Sequence, residues 1–128
     1  MSNKELKPTD AELDVLRVLW EHGPGTVREI HQRLPETPHR GYTTVLKLLQ
    51  IMSEKGLVKR DESQRAHVYA VESSMEQTQQ KLLSHMMDKV FDNSMSNLVM
   101  RALATRPASK EELAEIRKLL DQIEGESQ

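Results

Sequence analysis

Residues 37–71, TPHRGYTTVLKLLQIMSEKGLVKRDESQRAHVYAV, decide the fold, because they read as a helix, a glycine stop and two short strands joined by a polar, basic turn. From Val45 the apolar residues Leu48, Leu49 and Met52 recur at helical spacing, which predicts one buried face. At about 100° per residue, Arg40, Thr43, Lys47 and Gln50 fall on the opposite side, with Thr44 at its edge. Such side chains contact phosphates and base edges in a major groove. Lys55 lies in the last turn and Gly56 is the predicted C-cap. Leu57 to Glu62 and Ala66 to Val71 then read as a hairpin, with Arg60, Arg65 and His67 in or beside its turn.

The bland alternative is an ordinary amphipathic helix with a solvated polar face beside a hairpin. The preceding sequence weighs against it, since a helix-turn-helix needs two bracing helices and both are present in order. The first runs from Ala11 to His22, with Thr9 as N-cap and Glu12 completing a capping box. Leu13, Leu16 and Trp20 form its apolar stripe, widened by Val15 and Leu19, and Gly23, Pro24 and Gly25 end it. Trp20 could stack on a ligand, but a lone Trp on an apolar stripe reads as core. The second helix, Val27 to Leu34, has Thr26 and Glu29 as its capping box and Val27, Ile30 and Leu34 facing inward, and Pro35 and Pro38 bracket the turn that follows. Three short helices and a hairpin make the winged-helix plan.

The second half is read as all-helical. Ser74 and Gln77 form a capping box for a helix to about Phe91, with Leu82, Leu83, Met86, Met87, Val90 and Phe91 in i, i+4 rows. Asp92 or Asn93 is read as the cap of the next helix, with Met95, Leu98, Val99 and Ala102 on its buried side, and Arg106 and Pro107 break it. Ser109 and Glu112 start a last helix carrying Leu113, Ile116, Leu119, Leu120 and Ile123, and Gly125 to Gln128 are expected to fray. Three striped helices with little to cover them favour pairing with a second copy. The expected interface comprises Leu82, Leu83, Met86, Val90, Phe91, Leu98, Leu113, Ile116 and Leu120. The competing reading is an intramolecular helical lid.

Composition bounds the function classes. With 3% aromatic residues in 128, one large core is excluded. The absence of cysteine rules out disulfides and thiolate chemistry and suits a cytoplasmic location. No apolar run approaches a membrane span, so no membrane insertion is expected. The net charge of −2 divides unevenly: residues 1–70 hold 11 basic against 10 acidic side chains, and residues 71–128 hold 7 against 10. Between Thr37 and Ala70 the balance is six basic to three acidic, a modest basic patch. His22, His31, His39, His67 and His85 form no i, i+4 pair and no metal motif, although His39 and His67 are placed for phosphate contact. Met86, Met87, Met95 and Met100 read as gap-filling core rather than a copper site. The carboxylates sit mainly at helix starts and on solvent faces, and no phosphate loop or catalytic constellation is present, so no enzyme, cofactor, metal or small-molecule ligand is indicated.

The runs TDAELDVLRVLWEHGPGTVREIHQRL, YTTVLKLLQIMSEKGLVKRD and AHVYAV closely resemble the penicillinase-repressor (BlaI/MecI) family of bacterial winged-helix transcriptional repressors over about the first 70 residues. The helical remainder agrees in length and plan. The resemblance implies a C-terminal dimerisation domain and a homodimer on a pseudo-palindromic promoter operator of double-stranded DNA, controlling β-lactam-response or related genes. It also implies cleavage by a membrane sensor protease at an Asn–Phe bond within the helix written here as NSMSNLVMRAL; the matching bond is Arg101–Ala102, which keeps neither residue type. Copper-responsive members of the wider family use a C-terminal cysteine cluster, absent here.

The combined expectation is a mainly α protein with a small β-wing: a winged helix-turn-helix at 8–72, a helical dimerisation region at 73–124, and flexible termini at 1–7 and 125–128. Thr43, Thr44 and Lys47 would approach base edges, with Arg40 and Gln50 beside them. Thr26 and Arg28 would hold phosphates, and Lys59, Arg60 and Arg65, with His67, would anchor the wing. Two other classes stay open: a winged-helix protein-interaction module without DNA, and a small enzyme or ligand-binding regulator using the helical half as a pocket.

Overall fold

A computed structural model describes residues 7–35 and 40–126. The order of elements is α1 (Asp10–His22), β1 (Gly25–Thr26), α2 (Val27–Arg33), α3 (Tyr42–Lys55), β2 (Val58–Asp61), β3 (Val68–Val71), α4 (Met75–Lys89), α5 (Met95–Thr105) and α6 (Lys110–Glu126). The chain divides into two compact units, Met1–Leu83 and Ser84–Gln128. That division falls within α4, whereas the change in sequence character falls near residue 72.

In the first unit both predicted capping boxes form. Thr9 Oγ1 accepts from the Glu12 N–H while Glu12 Oε1 accepts from the Thr9 N–H, and Thr26 and Glu29 repeat the arrangement on α2. Gly56 ends α3 with φ +80°, a left-handed conformation that glycine adopts without a Cβ penalty. The core gathers Val15, Leu16, Val18 and Leu19 of α1, Val27 and Ile30 of α2, Leu34, Val45, Leu49 and Met52 of α3, and Val58 and Tyr69 of the wing. Val18, Val58 and Tyr69 extend the core expected from periodicity. Trp20 packs against its edge as expected, and its indole N–H donates to the Ser73 carbonyl at 3.0 Å.

The wing has a third strand that the sequence reading lacked. β3 is central: it pairs antiparallel with β2 (Arg60 opposite Tyr69, Val58 opposite Val71) and with β1 (Gly25 opposite Tyr69, Thr26 opposite Val68). The Gly23–Pro24–Gly25 turn therefore does more than end α1. It hands the chain to the sheet immediately before α2, which fixes that helix relative to the wing.

The Ser74–Gln77 capping box of α4 and the Ser109–Glu112 box of α6 form as read. The cap of α5 is a correction. Asp92 and Asn93 have φ +51° and +58° and cannot serve, because an N-cap needs extended backbone. They instead make the left-handed exit from α4, the Asn93 N–H donating to the Met87 carbonyl at 2.7 Å. Ser94 is the cap, accepting from the Asn97 N–H. A second correction concerns the end of α6, which continues through Gly125 to Glu126 instead of fraying at Gly125. Residues 1–6, 127 and 128 of the expected flexible termini lie outside the described residues, as do Pro38 and His39 in the turn before α3.

No residue of α4, α5 or α6 is buried. Leu82, Phe91, Leu98 and Leu113 are partly covered, while Leu83, Met86, Val90, Ile116 and Leu120 of the foreseen interface are exposed, Val90 to 67%. Met95, Val99, Met100, Leu103 and Leu119 are exposed as well and were not in that set.

Candidate DNA-binding surface

The two faces of α3 separate as its sequence demands. Val45, Leu49 and Met52 are wholly buried, and Thr43, Thr44, Lys47 and Gln50 are exposed on the opposite side. Three further residues join that free surface: Tyr42 at the first position, Ile51 beside Lys47, and Glu54 one turn beyond Gln50. Tyr42 is braced edge-on by the His31 ring of α2, with centroids 6.1 Å apart. The N-terminus of α3 carries no side-chain cap at Gly41 and no acidic residue in its first turn. Within that first turn its N–H groups and positive dipole end thus meet no acidic side chain.

Arg40 does not belong to this face. It precedes the N-cap, and its guanidinium donates to Asp14 Oδ2 of α1 at 2.8 Å with only 16% of the side chain exposed. Helical phase does not reach Arg40, since the helix starts at Tyr42 with Gly41 as its N-cap.

The second helix offers a weaker anion site than its position suggests. The Thr26 hydroxyl oxygen is engaged by the Glu29 N–H, and the Glu29 carboxylate occupies the Thr26 N–H. The Thr26 backbone N–H and then the Thr26 hydroxyl, both donating to the carboxylate, with Arg33 nearby, hold the Glu29 carboxyl below its ordinary value, so a negative charge already sits at the N-terminus. Arg28 is exposed next to it.

On the wing, strand alternation sorts the cations. Lys59 pairs with Ala70 and is exposed on one face, whereas Arg60 lies opposite the buried Tyr69 on the other. Arg60 reaches Glu62 at 3.2 Å, and Tyr69 and then Glu62 push its already high pKa higher. His67 Nε2 lies 3.8 Å from the same Glu62 oxygen. Glu62 thus draws on two of the predicted anchors. Arg65 is exposed in the turn, where Asp61 Oδ1 accepts the Ser63 N–H and is lowered in pKa by it. Between α3 and β2 an open groove of about 590 Å³ is lined by Gln50, Ser53, Glu54, Lys59, Arg60 and Glu62 among others. Its mixed charges suit no single class of ion. Among the described residues, no three His, Asp or Glu side chains gather in a metal-holding group.

The surface thus combines the polar free face of α3, an exposed cation on the second helix and the cations of the wing. Comparison with known proteins agrees with this architecture. A family described as "Penicillinase repressor" matches residues 8–122. The penicillinase repressor of Staphylococcus aureus is 22% identical over 123 residues, spanning 96% of this chain and 98% of that protein. The transcriptional regulator BlaI of Mycobacterium tuberculosis is 40% identical over 62 residues, 48% of this chain and 45% of its own length. Among solved structures, a transcriptional regulator of Thermotoga maritima shares the fold with a TM-score of 0.51 at 19% identity, over 92% of this chain and 74% of that one. The match to residues 8–122 covers both halves of the molecule, and the chain belongs to the penicillinase repressor family, a family of transcriptional repressors and not of enzymes.

Proposed function

We propose that the protein is a homodimeric repressor that binds a pseudo-palindromic operator in double-stranded DNA and blocks a promoter by occupying it. The observation that carries this reading is the free face of α3: Thr43, Thr44, Lys47 and Gln50 are exposed around a helix N-terminus bearing no acid. Thr43, Thr44 and Lys47 approach base edges, and Gln50 flanks them. Arg28 holds a phosphate beside α2; Thr26 contributes only while its hydroxyl is shared with Glu29. Lys59 and Arg65 contact the backbone from the wing; Arg60 and His67 do so while shared with Glu62. The apolar side chains left uncovered on α4, α5 and α6 support pairing with a second copy, which would space two recognition helices by about one or two turns of DNA. Among the described residues no helix is long and apolar enough to cross a membrane, and the proposed setting is the cytoplasm.

The direct test is binding of the full chain to duplexes selected from a random pool, measured against salt. A steep fall in affinity with salt and selection of an inverted repeat are expected. Sequence-indifferent binding would leave only a nonspecific DNA binder, and no binding would favour a protein-interaction module.

Induction through a membrane sensor protease is part of the proposal. Arg101 and Ala102 are exposed in the middle of α5, and the Thr105 hydroxyl donates to the Arg101 carbonyl at 2.7 Å. A protease needs extended backbone, so cutting here requires α5 to unwind locally first. Immunoblots before and after β-lactam exposure decide: a stable fragment ending at Arg101 supports cleavage, and intact protein during derepression excludes it.

A further inference from the structure

The two capping boxes of the first unit have the same local chemistry and different surroundings. Glu29 closes its box while exposed, its side chain hydrogen-bonding to Thr26 and, among the described residues, to no other. Glu12 closes its own box at 2% exposure and is the buried charged residue of the core. The same Glu12 Oε1 that accepts the Thr9 N–H also accepts the ammonium of Lys55 at 2.6 Å. Lys55 is the last residue of α3, its side chain is 15% exposed, and it donates further to the Lys7 carbonyl at 3.3 Å. Capping requires none of this burial. Two residues along α1, Asp14 holds Arg40, which stands just before the other end of α3.

Two carboxylates of α1 therefore hold one cation at each end of the recognition helix. The apolar contacts of Val45, Leu49 and Met52 are non-directional and tolerate small slides and rotations of a helix. Two ion pairs with fixed geometry, one at either end, do not. Buried ion pairs add little net stability because desolvation opposes their attraction, and their best-attested use is to select one register. We propose that the Glu12–Lys55 and Asp14–Arg40 pairs are positioning clamps that set the axial register and rotation of α3, and so govern sequence discrimination on DNA rather than affinity for it. Neither Lys55 nor Arg40 touches DNA on this account. The proposal rests on the reading of α3 as the DNA-recognition helix.

The test uses the full chain, with a duplex selected from a random pool by the unmodified protein and a scrambled duplex of equal length and composition. In E12Q and in K55M the ratio of the two affinities should fall about tenfold, the scale of one mismatched base pair, while binding to the scrambled duplex and the salt slope stay unchanged. Each single variant also leaves a buried group unpaired and lowers Tm. The double variant E12Q/K55M leaves no charge unpaired, so Tm should recover while discrimination stays low. D14N, at the more exposed pair, keeps the fold if the buried variants do not and should show a smaller loss of the same kind. Discrimination that returns together with Tm in the double variant overturns the proposal by making the pair purely structural. A salt slope shallower by about one unit in K55M or R40M overturns it by making these residues phosphate ligands. If the unmodified protein selects no duplex, the recognition-helix reading fails first and the clamp's role in discrimination fails with it.

Discussion

The first unit closes its core within one chain, and the helices after it do not. Leu49 and Ile30 are wholly buried among residues of α1, α2, α3 and the wing, while Val90 and Met95 of the helical half stand 67% and 63% exposed. Both halves have amphipathic helices with sound caps, so local sequence quality does not separate them. The difference lies in what each apolar stripe meets. A three-stranded sheet and three crossing helices enclose a volume, and three helices without buried side chains await a surface of like character. One half of the molecule is thus self-sufficient, and the other leaves its apolar side chains uncovered in a single chain.

The largest expected effect comes from attacking each half where it should be strongest. Leu49→Ala should cost about 2–5 kcal/mol of unfolding free energy, a large share of a small domain's stability, independent of protein concentration. Leu120→Ala, at a side chain 53% exposed in one chain, should instead produce a loss that shrinks or grows with concentration, because it acts through association. Denaturant unfolding at two widely separated concentrations distinguishes them. Equal, concentration-independent losses would mean that the helical half is covered from within its own chain.

Severing the halves should cost less stability and more function. The cut must respect the hydrogen bond from Trp20 to the Ser73 carbonyl, which a fragment ending at residue 72 would lose. Residues 1–83 should fold as a monomer and bind an operator roughly 10²- to 10⁴-fold more weakly than the full chain, because the second half-site no longer adds effective concentration. Sedimentation and binding isotherms check both parts. Full affinity in a monomeric fragment would remove the reason for the helical half.

Within the reading surface the contrast is between free and committed side chains. Lys47→Ala should reduce discrimination at one base position by about 1–3 kcal/mol, whereas Arg65→Ala should weaken all sequences alike and shallow the salt slope by about one unit. Arg60→Ala should differ from Arg65→Ala, since it also removes the partner of Tyr69 and frees Glu62; a lowered Tm is expected for Arg60→Ala alone. Binding selections and salt titrations on the three variants sharpen the assignment, and indistinguishable Arg60 and Arg65 variants would argue that the contact with Glu62 is inconsequential.

What was legible in the sequence was what is written locally. Helical periods, four Ser/Thr–Glu/Gln capping boxes and Gly56 at the end of α3 each depend on residues within one or two turns, and they appear where the sequence placed them. The missing pieces are non-local. A two-residue strand at Gly25–Thr26 has no period to read and exists only because β3 pairs with it. The partners of Glu12 and Arg40 lie 43 and 26 residues away. Asp92 and Asn93 misled because residues that favour N-caps also tolerate left-handed turns, and only the backbone decides between these uses. At the candidate site, the faces of α3 were legible from phase, but the sharing of Glu62 by Arg60 and His67 was not.

The smallest predicted effect isolates one capping box in the self-sufficient half. The Glu29 carboxyl is held below its ordinary value of 4.5, first by the Thr26 backbone N–H and then by the Thr26 hydroxyl and Arg33. A depressed folded-state pKa means that the unfolded chain takes up the proton first as pH falls. The charged form then contributes stability that is complete above the unfolded value and disappears as pH drops through the folded one. Glu29→Gln keeps an acceptor for the Thr26 N–H but removes the charge, so it should lower Tm slightly at pH 7 and converge with the unmodified protein in acid, below the lowered pKa. Asp61, depressed by the Ser63 N–H, has the same sign and should behave likewise in Asp61→Asn. Because both groups lie in the first unit, the loss should not depend on protein concentration. Melting curves between pH 3 and 7, at about 1 pH unit spacing on the scale of a carboxyl titration, test this; parallel curves without convergence would show that Glu29 supports α2 through geometry alone.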